Sequence, residues 1–297
     1  MENKAPFIIG CMRMCNIDKK TAEEVINTSL EHGLNYFDHA DIYGGGESER
    51  IFAKAACLTP KKREQMIIQS KCGIVPGVMY DLSKDYILKS VDGILSRLET
   101  EYLDVLLLHR PDPLVQPEEV AEAFSILHGS GKVRNFGVSN HSPEQIALLQ
   151  KYVPFKIGID QLQYSIKHAG LVSQGMHVNM VGEEVNYYGG GIIEYCRMND
   201  IQLQAWSPLQ YGMFAGSFIN NSLFPELNNK LCEIAESRNV SPSAIALAWI
   251  LRHPAGITPI SGSMNPKHIV QSLDAVNVNL SKEEWYSILL SAGYTLP

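Results

Sequence analysis

Asp38 and Tyr43 stand in Phe37-Asp38-His39-Ala40-Asp41-Ile42-Tyr43, Lys71 closes the run Met66-Ile67-Ile68-Gln69-Ser70, and His109 closes Leu103-Asp104-Val105-Leu106-Leu107-Leu108. Ionisable side chains of four kinds thus mark the ends of three successive apolar runs. A phenol, an ammonium, an imidazole and a carboxylate brought together can donate, orient and stabilise a proton at an oxygen. That combination points to chemistry on a carbonyl.

The runs themselves indicate the scaffold that carries these residues. Short, nearly continuous apolar runs form strands buried on both faces of a parallel sheet. When such a sheet closes into a barrel, the C-terminal strand ends converge, and residues far apart in the chain can meet there. Strands are predicted at 7–10, 35–38, 66–70, 103–108, 133–138, 156–161, 201–205 and 256–260, with amphipathic helical stretches between them. The expected fold is therefore α/β, a (β/α)8 TIM barrel, with residues 1–297 as a single domain.

Helix starts are marked locally. Thr21-Ala22-Glu23-Glu24 places a Thr cap three residues before a Glu, and Ser142-Pro143 and Ser241-Pro242 each set Pro at the first helical position. One stretch, 165–191, has no clear period and is longer than an ordinary connection. It is expected to cover substrate, the alternative being a surface excursion packed on the outside.

Composition narrows the partners. The chain has 297 residues, 45% hydrophobic and 19% charged, with a net charge of −7, so no basic surface argues for nucleic acid or an anionic membrane. A small molecule is the expected partner. Cys11, Cys15, Cys57, Cys72, Cys196 and Cys232 are scattered without metal-binding spacing and read as reduced thiols. Neither a signal-peptide start nor a run of about 18 apolar residues is present, which makes the cytoplasm the expected compartment. No coiled-coil seam is visible, and a monomer is the default.

Several motifs occur together in one order: Gly10-Cys11-Met12-Arg13, Phe37-Asp38-His39-Ala40-Asp41-Ile42-Tyr43-Gly44 with Gly46-Glu47-Ser48-Glu49, Gln69-Ser70-Lys71, Leu108-His109-Arg110-Pro111, Gly137-Val138-Ser139-Asn140 and Trp206-Ser207-Pro208-Leu209. In these the chain resembles the aldo-keto reductase family over essentially its whole length, and within it the bacterial oxidoreductase branch. The resemblance implies NAD(P)-dependent hydride transfer to an aldehyde or ketone. By the same resemblance Tyr43 protonates the oxygen, Lys71 lowers the Tyr43 pKa, Asp38 orients Lys71, and His109 orients the carbonyl.

The cofactor residues rest on the resemblance as well. Gly44-Gly45-Gly46-Glu47-Ser48-Glu49 is not a Rossmann fingerprint, because Glu replaces the last glycine. Ser139, Asn140 and Gln161 are expected to hold the nicotinamide carboxamide, Trp206 to stack on its ring, and Met12 to join the cofactor set. Ser207, Leu209, Gly212 and Phe214 are expected along the pyrophosphate, and Ser261, Gly262, Ser263, Lys267 and His268 about the adenosine 2′-phosphate. Family members selective for the phosphorylated cofactor carry Lys or Arg near the positions of Ile260 or Met264, and this chain does not. NADP(H) is the preferred cofactor by family habit, with NAD(H) as the alternative.

Other readings compete. His39, Asp41 and His109 could begin a metal-dependent hydrolase site, although Ser139-Asn140, Gln161 and Trp206 at later strand ends are poor metal ligands. Lys71 could serve a Schiff-base aldolase, which would need neither Tyr43 nor Trp206. A nucleotide-bound regulatory protein on the same fold is the alternative from another class. Met12, Met176, Met180 and Met213 either line an apolar substrate space or fill gaps in the core.

Overall fold

Each predicted barrel strand forms: β1 Ile8–Gly10, β2 Tyr36–Asp38, β3 Ile67–Cys72, β4 Leu103–Leu108, β5 Val133–Ser139, β6 Ile157–Gln163, β7 Gln202–Trp206 and β8 Thr258–Ser261. The structure is a computed structural model and describes residues 5–177, 190–213 and 215–296. The strand order is β1-β8-β7-β6-β5-β4-β3-β2, a closed parallel barrel with helices between its strands. Several strands run past their predicted ends. Lys71 lies inside β3, and Ser139, Trp206 and Ser261 each close their own strand.

The chain divides into two compact units, Met1–Gln161 with Gly262–Pro266, and Leu162–Ser261 with Lys267–Pro297. In the first, β4 is buried along its whole length, as expected of a strand covered on both faces. At its start Asp104 accepts from Arg63 at 2.8 Å and from the Ile68 amide at 2.9 Å, while Arg134 reaches its other oxygen at 3.0 Å. Both guanidinium groups lie 3.8 Å from the Tyr102 ring centroid. The cluster fastens the starts of three strands. A two-stranded hairpin, Ile74–Val75 with Met79–Tyr80, follows β3 and is an addition to the predicted elements.

The second unit has an aromatic core. Trp249 and Trp285 stack at 4.7 Å, and each indole N–H donates to the other's backbone carbonyl at 3.0 Å. This satisfies two buried donors while keeping the ring faces in contact. Tyr164 lies 5.4 Å from Trp249.

Caps at Ser142 and Ser241 form as predicted, the former as a full capping box with Gln145. The first helix, Lys19–Glu31, is instead capped by Asp18, which accepts from the Thr21 amide at 2.7 Å. Thr21 therefore lies inside the helix; an Asp whose carboxylate reaches the third amide takes the cap. The stretch 165–191 holds a helix at Gly170–Met176, so it is not irregular throughout, and residues 178–189 lie outside the described residues. Among the described residues no helix is long and apolar enough to cross a membrane.

Candidate active site

Strand alternation sends Gln69 and Lys71 to one side of β3 and Ser70 to the other. On the inner side the Lys71 ammonium, fully buried, lies 2.8 Å from both Asp38 oxygens, 2.8 Å from the His39 carbonyl and 3.2 Å from the Tyr43 hydroxyl. Asp38 Oδ1 also accepts from Gln69 Nε2 at 2.6 Å and Gln161 Nε2 at 2.9 Å, and Tyr36 donates to Gln69 at 2.7 Å. Tyr43 meets His109 edge-on at 6.0 Å. The four residues predicted from the strand ends thus come together, all within the first unit.

The electrostatics differ from expectation at one point. Burial on its own pushes Lys71 down, but Asp38 and Tyr43 outweigh it and the net direction is up, which keeps the ammonium charged. Tyr43 is raised rather than lowered: burial dominates, and Lys71 only partly offsets it. His109 is held well below its ordinary value by burial, then by Lys71 and Arg110, so its imidazole is neutral near pH 7. Its Nδ1 is buried with no hydrogen-bond partner among the described residues.

What holds Tyr43 in place was not legible as a role in the sequence. Gly44, Gly45 and Gly46 come directly after it with φ of 59°, 63° and 91°, the left-handed region in which L side chains are strained. A Cβ at Gly44 would lie 2.7 Å from Cys15 Cβ, and one at Gly46 would lie 2.6 Å from Arg97 Cδ. Behind the turn, Glu49 accepts from Arg97 at 2.6 Å and from Ser70 at 2.9 Å. Ser70 and Glu49 appear in the motifs and could have been found as polar residues on buried faces; nothing local marks Arg97.

Ser139 ends β5 and donates to the Gln161 carbonyl at 2.8 Å; Asn140 comes next at φ 61° and donates to the Ser139 hydroxyl at 2.8 Å. A non-glycine residue in the left-handed region is held there by its surroundings and often marks a site. Gln161 stands in two places at once, its amide nitrogen on Asp38 and its carbonyl under Ser139 and the Asn140 amide. Met12 is half-buried, and its carbonyl accepts from Ser48 at 3.1 Å.

In the second unit Trp206 is half-buried and its carbonyl takes the Tyr164 amide at 3.3 Å. Ser207 has φ 53° and donates to Gln210 at 3.1 Å, Leu209 accepts the Phe218 amide at 3.1 Å, and Gly212 accepts the Ala215 amide at 3.4 Å. Phe214 lies outside the described residues. Ser261 is buried, while Lys267 and His268 are exposed. In the first unit, Gly262 and Ser263 are half-buried, and Ser263 accepts the Asn265 amide at 3.2 Å.

Two competing readings meet this geometry poorly. Among the described residues no group of three or more His, Cys, Asp or Glu could hold a metal ion, and the His39 ring packs edge-on against Phe52 at 4.6 Å. A Schiff base needs a neutral amine, whereas Lys71 is clamped on a carboxylate and held charged.

The family model "Aldo/keto reductase family" matches residues 6–289. Oxidoreductase YdhF of Escherichia coli K12 is 35% identical, with 98% of this chain and 95% of the relative covered. A 6-dehydroglucose reductase of Novosphingobium aromaticivorans is 31% identical over 99% of this chain and 93% of the relative. The crystal structure of an aldo/keto reductase from Klebsiella pneumoniae, in complex with NADP and acetate, superposes with a TM-score of 0.75 at 23% identity, covering 95% of this chain and 89% of that one.

Proposed function

The chain belongs to the aldo/keto reductase family, and from that membership we propose that it reduces aldehydes or ketones with NADPH, Tyr43 giving the proton to the carbonyl oxygen. The observation that carries the reading is the Lys71 ammonium, 2.8 Å from both Asp38 oxygens and 3.2 Å from the Tyr43 hydroxyl. A charged donor fixed there favours the phenolate that Tyr43 becomes once its proton has left. Neutral His109 hydrogen-bonds the carbonyl oxygen and aims it at Tyr43. Asp38 holds Lys71 in register, and its bonds from Gln69 and Gln161 fix its orientation.

The residues present fit a nicotinamide dinucleotide. Asn140 is held in an uncommon backbone conformation beside the Ser139 hydroxyl, and the half-buried Trp206 offers a flat ring. NADPH, when bound, supplies the hydride. Ser139, Asn140 and Gln161 hold the carboxamide, Trp206 covers one ring face, and Met12 packs beside the cofactor. Ser207, Leu209, Gly212 and Phe214 serve the pyrophosphate; Ser261, Gly262, Ser263, Lys267 and His268 serve the adenosine end. NADP(H) is preferred, with NAD(H) as the alternative. We take residues 1–297 to act as one domain, as a monomer in the cytoplasm, on a small-molecule carbonyl compound; the 6-dehydroglucose reductase name of one relative is in keeping with an aldehyde.

NADPH and NADH oxidation, followed at the nicotinamide absorbance with aldehydes, dicarbonyls and quinones, tests this on wild type and Tyr43→Phe together. The variant is expected to lose about 10²–10⁴-fold in kcat, with its Kd for NADPH unchanged. Because Tyr43 is raised and His109 depressed, reduction by wild type should be flat between about pH 6 and pH 9. Equal turnover by the two proteins would remove Tyr43 from its role, and no turnover on any substrate would favour a regulatory protein.

A further inference from the structure

The turn Cys11–Asn16 buries Cys11 and Met14 and leaves Arg13 exposed. From there the Arg13 guanidinium donates through Nη1 to the Gly262 carbonyl at 3.1 Å. A Cβ at position 262 would lie 3.3 Å from that nitrogen, tighter than ordinary contact, so the lack of a side chain lets the guanidinium lie against the backbone. Gly262 belongs to a stretch, 258–273, that contains no Asp or Glu although the whole chain carries a net charge of −7. Among the described residues Arg13 has no carboxylate partner. The side chain has five N–H donors, and one bond leaves the rest of the fork available.

We propose that Arg13 binds a phosphate group of the dinucleotide, supplying from the turn after β1 the guanidinium that residues 260–268 lack. The Gly262 carbonyl holds one edge of the planar group, so its orientation is set before an anion arrives. A phosphate then meets a fixed, always-charged fork that binds two of its oxygens at once, geometry that a lysine cannot reproduce. The Ser263 hydroxyl accepts the Asn265 amide and keeps its own proton to donate toward the same anion. This inference rests on the proposed use of a nicotinamide cofactor.

The test is titration of the full chain with NADPH and with NADH by quenching of protein fluorescence, for wild type, Arg13→Gln and Arg13→Lys, alongside the melting temperature of each free protein. Arg13→Gln is expected to weaken NADPH at least tenfold, Arg13→Lys to recover only part of that, and the melting temperatures to agree within a few degrees. Loss for NADPH alone assigns the contact to the 2′-phosphate, and equal loss for NADPH and NADH assigns it to the pyrophosphate; either supports the proposal. Unchanged cofactor affinity overturns it, and if the melting temperature is then lowered Arg13 is only a brace on Gly262. Wild type binding neither nucleotide would sink the reductase reading itself, an outcome distinct from a variant that binds as well as wild type.

Discussion

Lys71 satisfies the condition under which a buried ammonium is tolerable, since every acceptor around it is oriented and one is a carboxylate held at both oxygens. Asp41 is the contrasting case. Its Oδ1 is buried with no hydrogen-bond partner among the described residues, and burial, reinforced by Glu49 and opposed by Arg97, lifts the group to about 7. The sign of the resulting pH dependence is fixed: with an unfolded value of about 3.9, the folded chain holds more protons between about pH 4 and pH 7, so stability falls as pH rises through that window. In Asp41→Asn this slope is absent, and the variant's melting temperature relative to wild type should climb from pH 5 to pH 8. A difference that stays constant with pH would refute the assignment. The identities of Asp38, Tyr43, Lys71 and His109 were legible in the sequence because each closes or follows an apolar run. The upward direction for Tyr43 was not, because it depends on how much water the surrounding elements exclude.

Between strands, the decisive feature is the pairing of β5 with β6. Phe136 pairs with Ile157 and Val138 with Asp160, so β6 carries an extra residue opposite Gly137. Such a bulge re-aims the residues beyond it, here Ser139 and Asn140 opposite Gln161. A Cβ on Gly137 would lie 2.7 Å from the Ile159 carbonyl oxygen and 2.7 Å from Leu107 Cδ2, with a backbone atom that cannot swing aside. Gly137→Ala is therefore expected to cost about 1–3 kcal/mol of stability and to weaken NADPH binding together with it, measured by thermal melts and cofactor titration. Unchanged stability would mean that β5 has room to shift. The glycine itself was visible as part of Gly137-Val138-Ser139-Asn140, but its close neighbours come from two other strands and carry no local mark.

For the molecule as a whole, the proposal of one NADPH-binding domain predicts a single unfolding transition. Far- and near-ultraviolet dichroism should melt coincidently, and NADPH at a hundred times its Kd should stabilise the fold by about 2.7 kcal/mol. Two separated transitions would divide the chain along its two compact units. The eight strands, the caps at Ser142 and Ser241, and the ionisable residues that meet at strand ends could all be read from the chain alone. These depend on apolar periodicity and on side chains reaching backbone groups a few positions away, information that is local in the chain. Folding in three dimensions was needed before Gln161 could give its amide to Asp38, Glu49 and Arg97 could lock the turn after Tyr43, burial could raise the phenol, and Arg13 could lie on the Gly262 carbonyl. Each of these is a through-space distance or an exclusion of water between residues remote in sequence, and such quantities exist only once the strands have been brought side by side.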